Sequence, residues 1–351
     1  MTRFLIVRLG ALGDVVHAIP VAAALRHAFP SARIDWLVSA KHRAILDLVP
    51  IIDRRLVIND RPSTGSGRAA AGGSFLSAIA ELRSSNYDVA IDLQGLIKSA
   101  VLARTSGAAR VIGFSSRYAR ERVARLFYTD AHDPGRGGLF DPNETRHVVE
   151  INLSVLEKLG VTSARPEFPI EPVESAVAAW ASAQAGGRYA LLNPGAAWPN
   201  KRWPPDRFAP IAQKLRERHD LMSVVLWGPG EESLAREVVE RAEGAAIMSP
   251  QTTIADLVAL ARGAAVMVSG DTGPTHIAAA LGTPLVGIYG PTRPSRNGSM
   301  SPLDVTVSRD AICQCHHLRK CRLERMCLLD VQVDEVLDAV ERRLAAVPQR
   351  V

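Results

Sequence analysis

Short apolar runs that alternate with longer amphipathic stretches constrain the fold of this chain more than any other feature. In the first half, a helical stretch at about Val15–Ala28 lies among four runs that suit β-strands: Phe4–Val7, Arg33–Val38, Leu56–Ile58 and Val89–Leu93. This strand-helix-strand order predicts a parallel sheet wrapped by helices, because parallel strands need a crossover connection between them.

The same alternation starts again after Pro166–Pro172, which we interpret as a linker. Val333–Ala346 has the apolar spacing of a helix, and it is preceded by four more strand-like runs, at Tyr189–Asn193, Ser223–Trp227, Val266–Ser269 and Leu285–Tyr289. Since 351 residues are too many for one ordinary domain, we predict two Rossmann-like, doubly wound domains at residues 1–170 and 171–330. Residues 331–351 are expected to form a helix that packs back toward the first domain.

Two doubly wound domains that face each other would place a ligand in a central cleft, at the carboxyl ends of both sheets. The composition is that of a folded protein, since 47% of the residues are hydrophobic and 22% are charged. A formal net charge of +6 favours an acidic partner. No RNA-recognition signature, zinc-finger spacing or helix-turn-helix is present, so nucleic acid is not expected as a partner.

The location of the protein is predicted from two features of the sequence. The apolar run Phe4–Val7 is too short for the hydrophobic region of a secretory signal, and Asp14 follows soon after it. No stretch approaches the roughly 18 apolar residues of a transmembrane helix. We therefore expect a cytoplasmic protein that touches membranes only from outside.

The first motif, Arg8–His17 (RLGALGDVVH), lies at the predicted turn between the first strand and the first helix. Gly10 and Gly13 permit a tight turn and leave room for a ligand. The third glycine of the dinucleotide-binding fingerprint is missing, which disfavours a nicotinamide oxidoreductase. The spacing leaves two interpretations of Asp14 open: a cap of the helix, or a carboxylate directed into the crevice. His17 is interpreted as a packing or capping residue.

Two motifs in the second half suit the binding of a phosphate. Asn193–Pro204 (NPGAAWPNKRWP) presents Lys201 between two tryptophans after a strand, where an ammonium would stabilise a departing diphosphate. Ser269–His276 (SGDTGPTH) is a glycine-containing turn before a helix, and the amides at a helix start form an anion site. The alternatives are an exposed loop with an ordinary surface lysine, and a capped helix without a ligand.

All four cysteines of the chain lie close together, at Cys313, Cys315, Cys321 and Cys327. In a cytosolic protein such clustering suggests a metal ion before disulfides. The C-x-C spacing followed by two wide gaps is nevertheless not a standard zinc pattern. A bound metal and a group of reduced, packed or redox-labile thiols both stay open.

Six segments spread over most of the chain match one known family in their order. They are RLGALGDVVHAIP, IDLQGLIKSA, GFSSRYARERVARLFY, NPGAAWPNKRWP, LWGPGEE and SGDTGPTHIAAALGTPLVGIYGPT. The segments resemble the lipopolysaccharide heptosyltransferases, which use ADP-heptose and have the GT-B fold. Gly113–Tyr128 is closer to the enzyme that adds the first heptose than to the one that adds the second, whereas the cysteine-rich tail is similar to that of other branches.

The resemblance implies an inverting transfer of heptose from ADP-heptose to the Kdo-lipid A inner core, with no cofactor required. Asp14 would be the general base, and Lys201 would neutralise the departing diphosphate. The other residues that the resemblance places around the donor are Ala196, Ala197, Glu231 (ribose or sugar hydroxyls), Asp271 (heptose), Thr272 and Gly273 (amides to the diphosphate) and His276.

The resemblance also implies an anionic, lipid-linked glycan as the acceptor. Lys98 and Arg120 would face its anionic groups, together with Arg61, and basic side chains suit phosphates and carboxylates. Residues Asp60–Ser74 lack apolar periodicity and are expected to be a mobile surface loop. The enzyme would then work as a peripheral protein at the cytoplasmic face of the inner membrane.

Other functions fit parts of the same pattern. A glycosyltransferase of the same family could act on a protein or another surface glycan. A non-catalytic protein that only binds nucleotide sugars would have no need of Asp14, Lys201 and Asp271 together. Sugar-nucleotide epimerases share the architecture but need no acceptor surface.

Overall fold

In a computed structural model, the chain divides into two compact units, Met1–Glu171 and Pro172–Val351. The structure describes residues 1–59, 79–135, 137–313, 315–316, 318–321 and 323–346. Residues 161–175, on both sides of the division, contain no helix or strand, and the segment that we interpret as a linker, Pro166–Pro172, lies within them.

The first unit contains a six-stranded parallel sheet. Its strands are β1 (Arg3–Val7), β2 (Arg33–Ser39), β3 (Arg54–Ile58), β4 (Val89–Asp92), β5 (Arg110–Phe114) and β6 (Asp130–His132), in the order β3-β2-β1-β4-β5-β6. Its helices are α1 (Leu12–Val16), α2 (Ile19–Ala28), α3 (Arg43–Leu46), α4 (79–84), α5 (Ile97–Thr105) and α6 (Val148–Ser154).

The second unit contains another six-stranded parallel sheet. Its strands are β7 (Tyr189–Asn193), β8 (Met222–Val225), β9 (Ala246–Met248), β10 (Ala264–Gly270), β11 (Leu285–Tyr289) and β12 (Val305–Ser308), in the order β12-β11-β10-β7-β8-β9. Its helices are α7 (Ala176–Ala185), α8 (Phe208–His219), α9 (Glu232–Arg241), α10 (Ile254–Gly263), α11 (Gly273–Ala280), α12 (Pro294–Asn297) and α13 (Val333–Ala345).

The two sheets have the same winding. When β7 is counted as the first strand of its unit, the second sheet has the order of the first, with the first strand next to the fourth in both. This is the doubly wound order, in which successive strands are added in one direction from the first strand and in the opposite direction from the fourth, and ligands bind at the carboxyl ends beside that point. The loops that follow β1, β4, β7 and β10 are therefore where functional side chains are expected.

The central strands are buried on both faces, as parallel strands covered by helices must be. The four residues from Phe4 to Val7 are at most 1% exposed, and the four from Tyr189 to Leu192 at most 2%. Such strands need continuous apolar runs and not alternating ones, which is why they stand out in the sequence. The prediction of two doubly wound α/β units is confirmed.

The structure differs from the predicted elements at one helix and several strands. The helix expected at about Val15–Ala28 is two helices, α1 and α2, because Pro20 lacks the amide hydrogen that would continue the ladder from Val16. Pro20 is the second residue of α2. The sequence did not predict the inner strand β5 or the three short outer strands β6, β9 and β12.

The last helix, α13, packs against β10, β11, β12 and α8 of the second unit. Arg343 on this helix is buried, and its Nε donates to Asp304 Oδ1 at 2.6 Å. The expected contact of this helix with the first domain stays a prediction. Among the helices of the described residues, none combines the length and the apolar character that crossing a membrane requires.

Candidate active site

The first group of candidate residues lies in the turn after β1. Arg8 is buried, and its Nη2 pairs with Asp14 Oδ1 at 2.9 Å. Its Nη1 donates to the carbonyl of Leu93, which directly follows β4. The guanidinium thus joins the loops after β1 and β4, the two strands between which the winding of the sheet reverses.

Asp14 is the third residue of α1, and its carboxylate also accepts the amide hydrogen of Ala11, the residue that caps this helix, at 3.1 Å. The Asp14 side chain is 33% exposed, against 9% for Arg8. Each carboxylate oxygen has two lone pairs, so a bound hydroxyl can still donate to Asp14. Asp14 therefore supports the helix start and is accessible to a substrate at the same time.

The second group lies after β7 and β10. Lys201 Nζ is 2.5 Å from Asp271 Oδ2, and His276 Nε2 is 2.9 Å from Asp271 Oδ1. The ammonium also lies 4.6 Å from the centroid of the Trp198 ring, within the range of a cation–π contact. Because the Lys201 side chain is only 16% exposed, it is not an ordinary surface lysine.

Asp271 is the carboxylate that joins this group, and its side chain is 4% exposed. Burial by itself raises the pKa of Asp271, but the hydrogen bond from His276 and the charge of Lys201 outweigh burial, so the pKa lies well below its usual range. The preceding Gly270 makes the arrangement possible, since a Cβ there would lie 2.9 Å from the carbonyl oxygen of Lys201. Glycine therefore lets the loop after β7 lie against the end of β10.

Hydroxyl and amide groups hold the start of α11 in place. Asn193, the last residue of β7, donates from Nδ2 to Ser269 Oγ at 2.9 Å and to Thr272 Oγ1 at 3.0 Å. Thr275 donates its hydroxyl hydrogen to the carbonyl of Gly270 at 2.5 Å. Thr272 caps the helix and Gly273 is its first residue, so the positive end of the helix dipole lies beside Lys201 and suits an anion.

Glu231 lies against the turn after β7. A Cβ on Gly195 would overlap the Glu231 carboxylate, and the amide of Gly228 donates to Glu231 Oε2 at 3.2 Å. Arg202 connects the two loops, with Nη2 at 3.6 Å from Glu231 Oε1 and Nε donating to the carbonyl of Ala196 at 2.8 Å. The structure therefore brings the predicted donor residues of the second unit together; Ala197 is exposed in the same turn.

Lys98 and Arg120, the predicted acceptor residues, are exposed; Lys98 is the second residue of α5 and Arg120 lies in the loop after β5. The carboxylate of Glu121 accepts the amide hydrogen of Ile97 at 2.6 Å, and the Glu121 amide donates to the carbonyl of Gly95 at 2.9 Å. These bonds bring the start of α5 and the loop after β5 together. Arg61 and the rest of the loop Asp60–Ser74 lie outside the described residues.

A buried carboxylate fixes the loop that leads to Lys98. Asp92 is fully buried and accepts hydrogen bonds from the amide of Gln94 at 2.8 Å and from the hydroxyls of Ser99 at 2.9 Å and Tyr128 at 2.8 Å. Burial raises the pKa of Asp92. The side chain of Gln94 in turn accepts the amide hydrogen of Leu9 at 2.8 Å, so the loop after β4 is held beside the turn that carries the candidate base.

The four cysteines form short contacts with one another. The Sγ atoms of Cys315 and Cys321 are 3.3 Å apart, and the amide of Cys315 donates to Cys313 Sγ at 3.3 Å. Burial raises the pKa of the Cys327 thiol to about 12. Across the described parts of the chain, no group of three or more His, Cys, Asp or Glu side chains is arranged so that it could hold a metal ion. A bound metal and a group of packed thiols stay the two open interpretations, and measurement of zinc and iron in the purified protein distinguishes them.

Three residues of the site had no role in our interpretation of the sequence: Arg8, Asn193 and Arg202. Each has a recognisable signal. Arg8 and Asn193 are polar residues at the carboxyl end of a buried apolar strand, where a parallel sheet presents ligand-binding groups. Arg202 follows Lys201 directly, and two adjacent cations after such a strand favour an anion.

The sequence model of the family described as glycosyltransferase family 9 (heptosyltransferase) matches residues 75–327. The chain belongs to glycosyltransferase family 9. The resemblance seen in the sequence motifs is confirmed, and the protein is a glycosyltransferase. The matched range contains Lys98, Arg120, the donor residues of the second unit and all four cysteines, and it begins after Asp14.

This chain is similar to individual proteins over most of their length. The chain is 28% identical over 320 residues to lipopolysaccharide heptosyltransferase 1 of Pseudomonas aeruginosa, covering 89% of this chain and 85% of the relative. The structure of E. coli heptosyltransferase WaaC with ADP is similar with a TM-score of 0.78 and 24% identity, covering 97% of this chain and all of that one (100%). WaaC with ADP-2-deoxy-2-fluoro heptose gives a TM-score of 0.74 at 25% identity over 97% and 99% of the two chains. The GT-B fold is thereby confirmed.

Proposed function

We propose that this family 9 glycosyltransferase moves heptose from ADP-heptose to the Kdo-lipid A inner core of lipopolysaccharide. The observation that supports this most is the group of Lys201, Asp271 and His276 at the start of α11, which offers positive charge to a diphosphate. A relative of similar length is a lipopolysaccharide heptosyltransferase 1, and WaaC has been solved with ADP and with a fluorinated ADP-heptose.

The donor is bound, in this proposal, by the second unit. Lys201 and the amides of Thr272 and Gly273 bind the diphosphate, because an ammonium and a helix start both favour negative charge. Asp271 keeps Lys201 charged and oriented, and its remaining lone pairs bind hydroxyls of the heptose. His276 lies beside the diphosphate, while Glu231 binds hydroxyls of the ribose or the sugar, with Ala196 and Ala197 in the adjoining turn.

The base comes from the first unit. Asp14 takes the proton of the acceptor hydroxyl while the acceptor oxygen forms a bond to the anomeric carbon of the heptose. The bond between that carbon and the diphosphate oxygen breaks, and ADP leaves with its electron pair, so the configuration is inverted. Arg8 orients the Asp14 carboxylate, with which it forms an ion pair at 2.9 Å. Since Lys201 neutralises the departing diphosphate, the reaction requires no metal ion.

The acceptor is an anionic glycan carried by a lipid. Lys98 and Arg120 bind its anionic groups, and Arg61 serves the same purpose. Such an acceptor is presented at a membrane surface, so the protein works as a peripheral enzyme on the cytoplasmic face of the inner membrane. The exposed cations and the net charge of +6 suit that surface.

The test is release of ADP from a panel of nucleotide sugars, with and without Kdo-lipid A. We expect rapid release only with ADP-heptose and acceptor together, with no change when EDTA is added. Release that requires a protein or another glycan would support the alternative acceptor. A protein that binds ADP-heptose but releases no ADP with any acceptor would be a non-catalytic binder, which contradicts the proposal.

A further inference from the structure

An exposed apolar surface lies at the edge of the first unit. A short 3₁₀ helix at Arg122–Phe127 carries Leu126, which is 79% exposed, and Val123, which is 52% exposed. Ile97, at the start of α5, is 39% exposed, and the 3₁₀ helix packs against α5. We call Ile97, Val123 and Leu126 the apolar edge. Grouped apolar side chains that remain in water mark an interaction surface more often than single ones do.

Cations surround the apolar edge. Arg120 and Arg122 are exposed, and within the described residues no carboxylate pairs with either of them. Arg125 is half-buried and donates from Nη1 to the carbonyl of Tyr128 at 3.2 Å. The acidic residue in this segment, Glu121, uses its carboxylate to accept the amide hydrogen of Ile97. Positive charge around apolar side chains is the composition that binds the surface of an anionic bilayer.

The position of the apolar edge connects it to the site. The loop after β4 leads to Ile97 and Lys98, and it is joined to the turn after β1 by the bond from the Leu9 amide to Gln94. The loop after β5 leads to Arg120 and then to the 3₁₀ helix. The apolar edge therefore lies at the ends of the two loops that lead to the proposed acceptor residues, where a lipid-linked acceptor would extend into the bilayer.

We propose that Ile97, Val123 and Leu126 insert at the boundary between headgroups and acyl chains of an anionic bilayer, while Arg122 and Arg125 bind its phosphates. This inference rests on the proposed function, because it supposes that the acceptor is anchored in a membrane. Its partner is a lipid surface with negative charge. The apolar side chains supply the part of the binding that salt does not screen, and the arginines supply the part that salt weakens.

The experiment compares the wild-type protein with V123D/L126D and with a matched variant, L303D. Leu303 is 48% exposed in the second unit and lies outside the apolar edge. Binding is measured by co-sedimentation with vesicles of phosphatidylglycerol and phosphatidylcholine, and with vesicles of phosphatidylcholine alone. We expect preference for the anionic vesicles, reduced by salt, and about tenfold weaker binding for V123D/L126D, with L303D unchanged.

Activity toward two forms of the acceptor separates membrane binding from catalysis. V123D/L126D should release ADP at the wild-type rate with a deacylated, soluble acceptor, and about tenfold more slowly with the acceptor embedded in vesicles. An unchanged rate on vesicles, or equal losses on both acceptors, would overturn the proposal. A wild-type protein that binds anionic vesicles but uses neither acceptor would instead count against the proposed function.

A second copy of the chain is the competing occupant of this surface, and analytical ultracentrifugation detects it. Three results together would show that the apolar edge is a protein interface: a dimeric wild-type protein, a monomeric V123D/L126D variant, and equal vesicle binding by the two. The proposal would then fail. Circular dichroism and the turnover of V123D/L126D with the soluble acceptor serve as the control for folding, because the substitutions lie in the first unit and turnover needs Asp14 of that unit. A variant that is monomeric, folded and defective only on vesicles supports the bilayer as the partner.

Discussion

Asp14 and Asp271 each follow one of the two strands between which the winding of a sheet reverses: Asp14 follows β1, the first strand of its unit, and Asp271 follows β10, the fourth strand of the other. Both pair with a cation, but their side chains are 33% and 4% exposed. The partners of Asp14 include the Arg8 guanidinium and the Ala11 amide, whereas Asp271 lies between Lys201 and His276. The two strands beside the reversal of winding can thus offer a carboxylate to the substrate in one unit and use a carboxylate to orient other groups in the other unit.

The largest expected effect is the loss of stability when Asp271 is changed. Asp271→Asn removes the charge from a buried ion pair and leaves Lys201 without its counter-ion, which costs about 3 to 5 kcal/mol in other buried pairs. Asp14→Asn should cost less than Asp271→Asn, because the Asp14 carboxylate is itself partly in water, although its partner Arg8 is buried. The free energy of unfolding in urea at neutral pH measures both, with the exposed Asp206→Asn as control. Equal losses for the two variants would contradict the comparison.

The second expected effect is the loss of turnover when Asp14 is changed. Asp14→Asn keeps the shape of the side chain but removes the base, so turnover should fall by a hundredfold or more, about 2.7 kcal/mol in the barrier. The affinity for ADP, measured by calorimetry, should stay the same. In the control variant Asp47→Asn, which changes an exposed carboxylate, turnover and ADP affinity should both stay the same. A folded Asp14→Asn protein with nearly normal turnover would leave Asp14 with only its role at the helix start.

A third carboxylate, Glu144, separates the effect of burial from the effect of position in the proposed site. Glu144 in the first unit has a side chain that is 3% exposed and binds Arg146 at 2.6 Å and the hydroxyl of Tyr118. The hydrogen bond from Arg146 lowers the pKa of Glu144 to about 2. Glu144 therefore resembles Asp271 in its pairing, but no proposed donor or base residue contacts it.

Glu144→Gln should reduce stability at neutral pH by about 2 kcal/mol, after allowing for the partial exposure of Arg146 to water, and leave turnover unchanged. Because the folded-state pKa is depressed, this stability is fully present above about pH 4.5 and is lost as the pH falls toward 2. Urea unfolding at several pH values should thus show a difference between wild type and variant that shrinks in this window. A difference that does not depend on pH would mean that shape, and not charge, is what the glutamate provides.

Sequence patterns predicted the central parts of the fold because those parts depend on local composition. Strands β7 and β11 were predicted with their observed bounds, since a strand buried on both faces must be continuously apolar. Outer strands such as β6, with three residues, have too little apolar sequence to stand out. The break between α1 and α2 could have been found from Pro20, whose missing amide hydrogen interrupts a helix.

The site was predictable as a set of turns, but its pairs were not. Glycines and polar residues after apolar strands indicated which loops carry function, and a resemblance to a family supplied the roles. Lys201 and Asp271 are separated by 70 positions in the chain, so only the fold shows that one neutralises the other. Spacing likewise left Asp14 between two interpretations, and the structure shows a side chain that serves the helix start and is open to solvent.

The smallest expected effect concerns the cation that Asp271 orients. Lys201→Ala should weaken ADP binding about tenfold, or 1.4 kcal/mol, because a charge-assisted bond to the diphosphate is lost while the amides at the start of α11 remain. Asp271→Asn should weaken it less, since the ammonium is still present. Lys214→Ala, which removes a lysine paired with Glu217 on the surface of α8, serves as the control. Calorimetry that finds the same ADP affinity for Lys201→Ala and Lys214→Ala would place the diphosphate elsewhere and leave the Lys201–Asp271 pair a purely structural one.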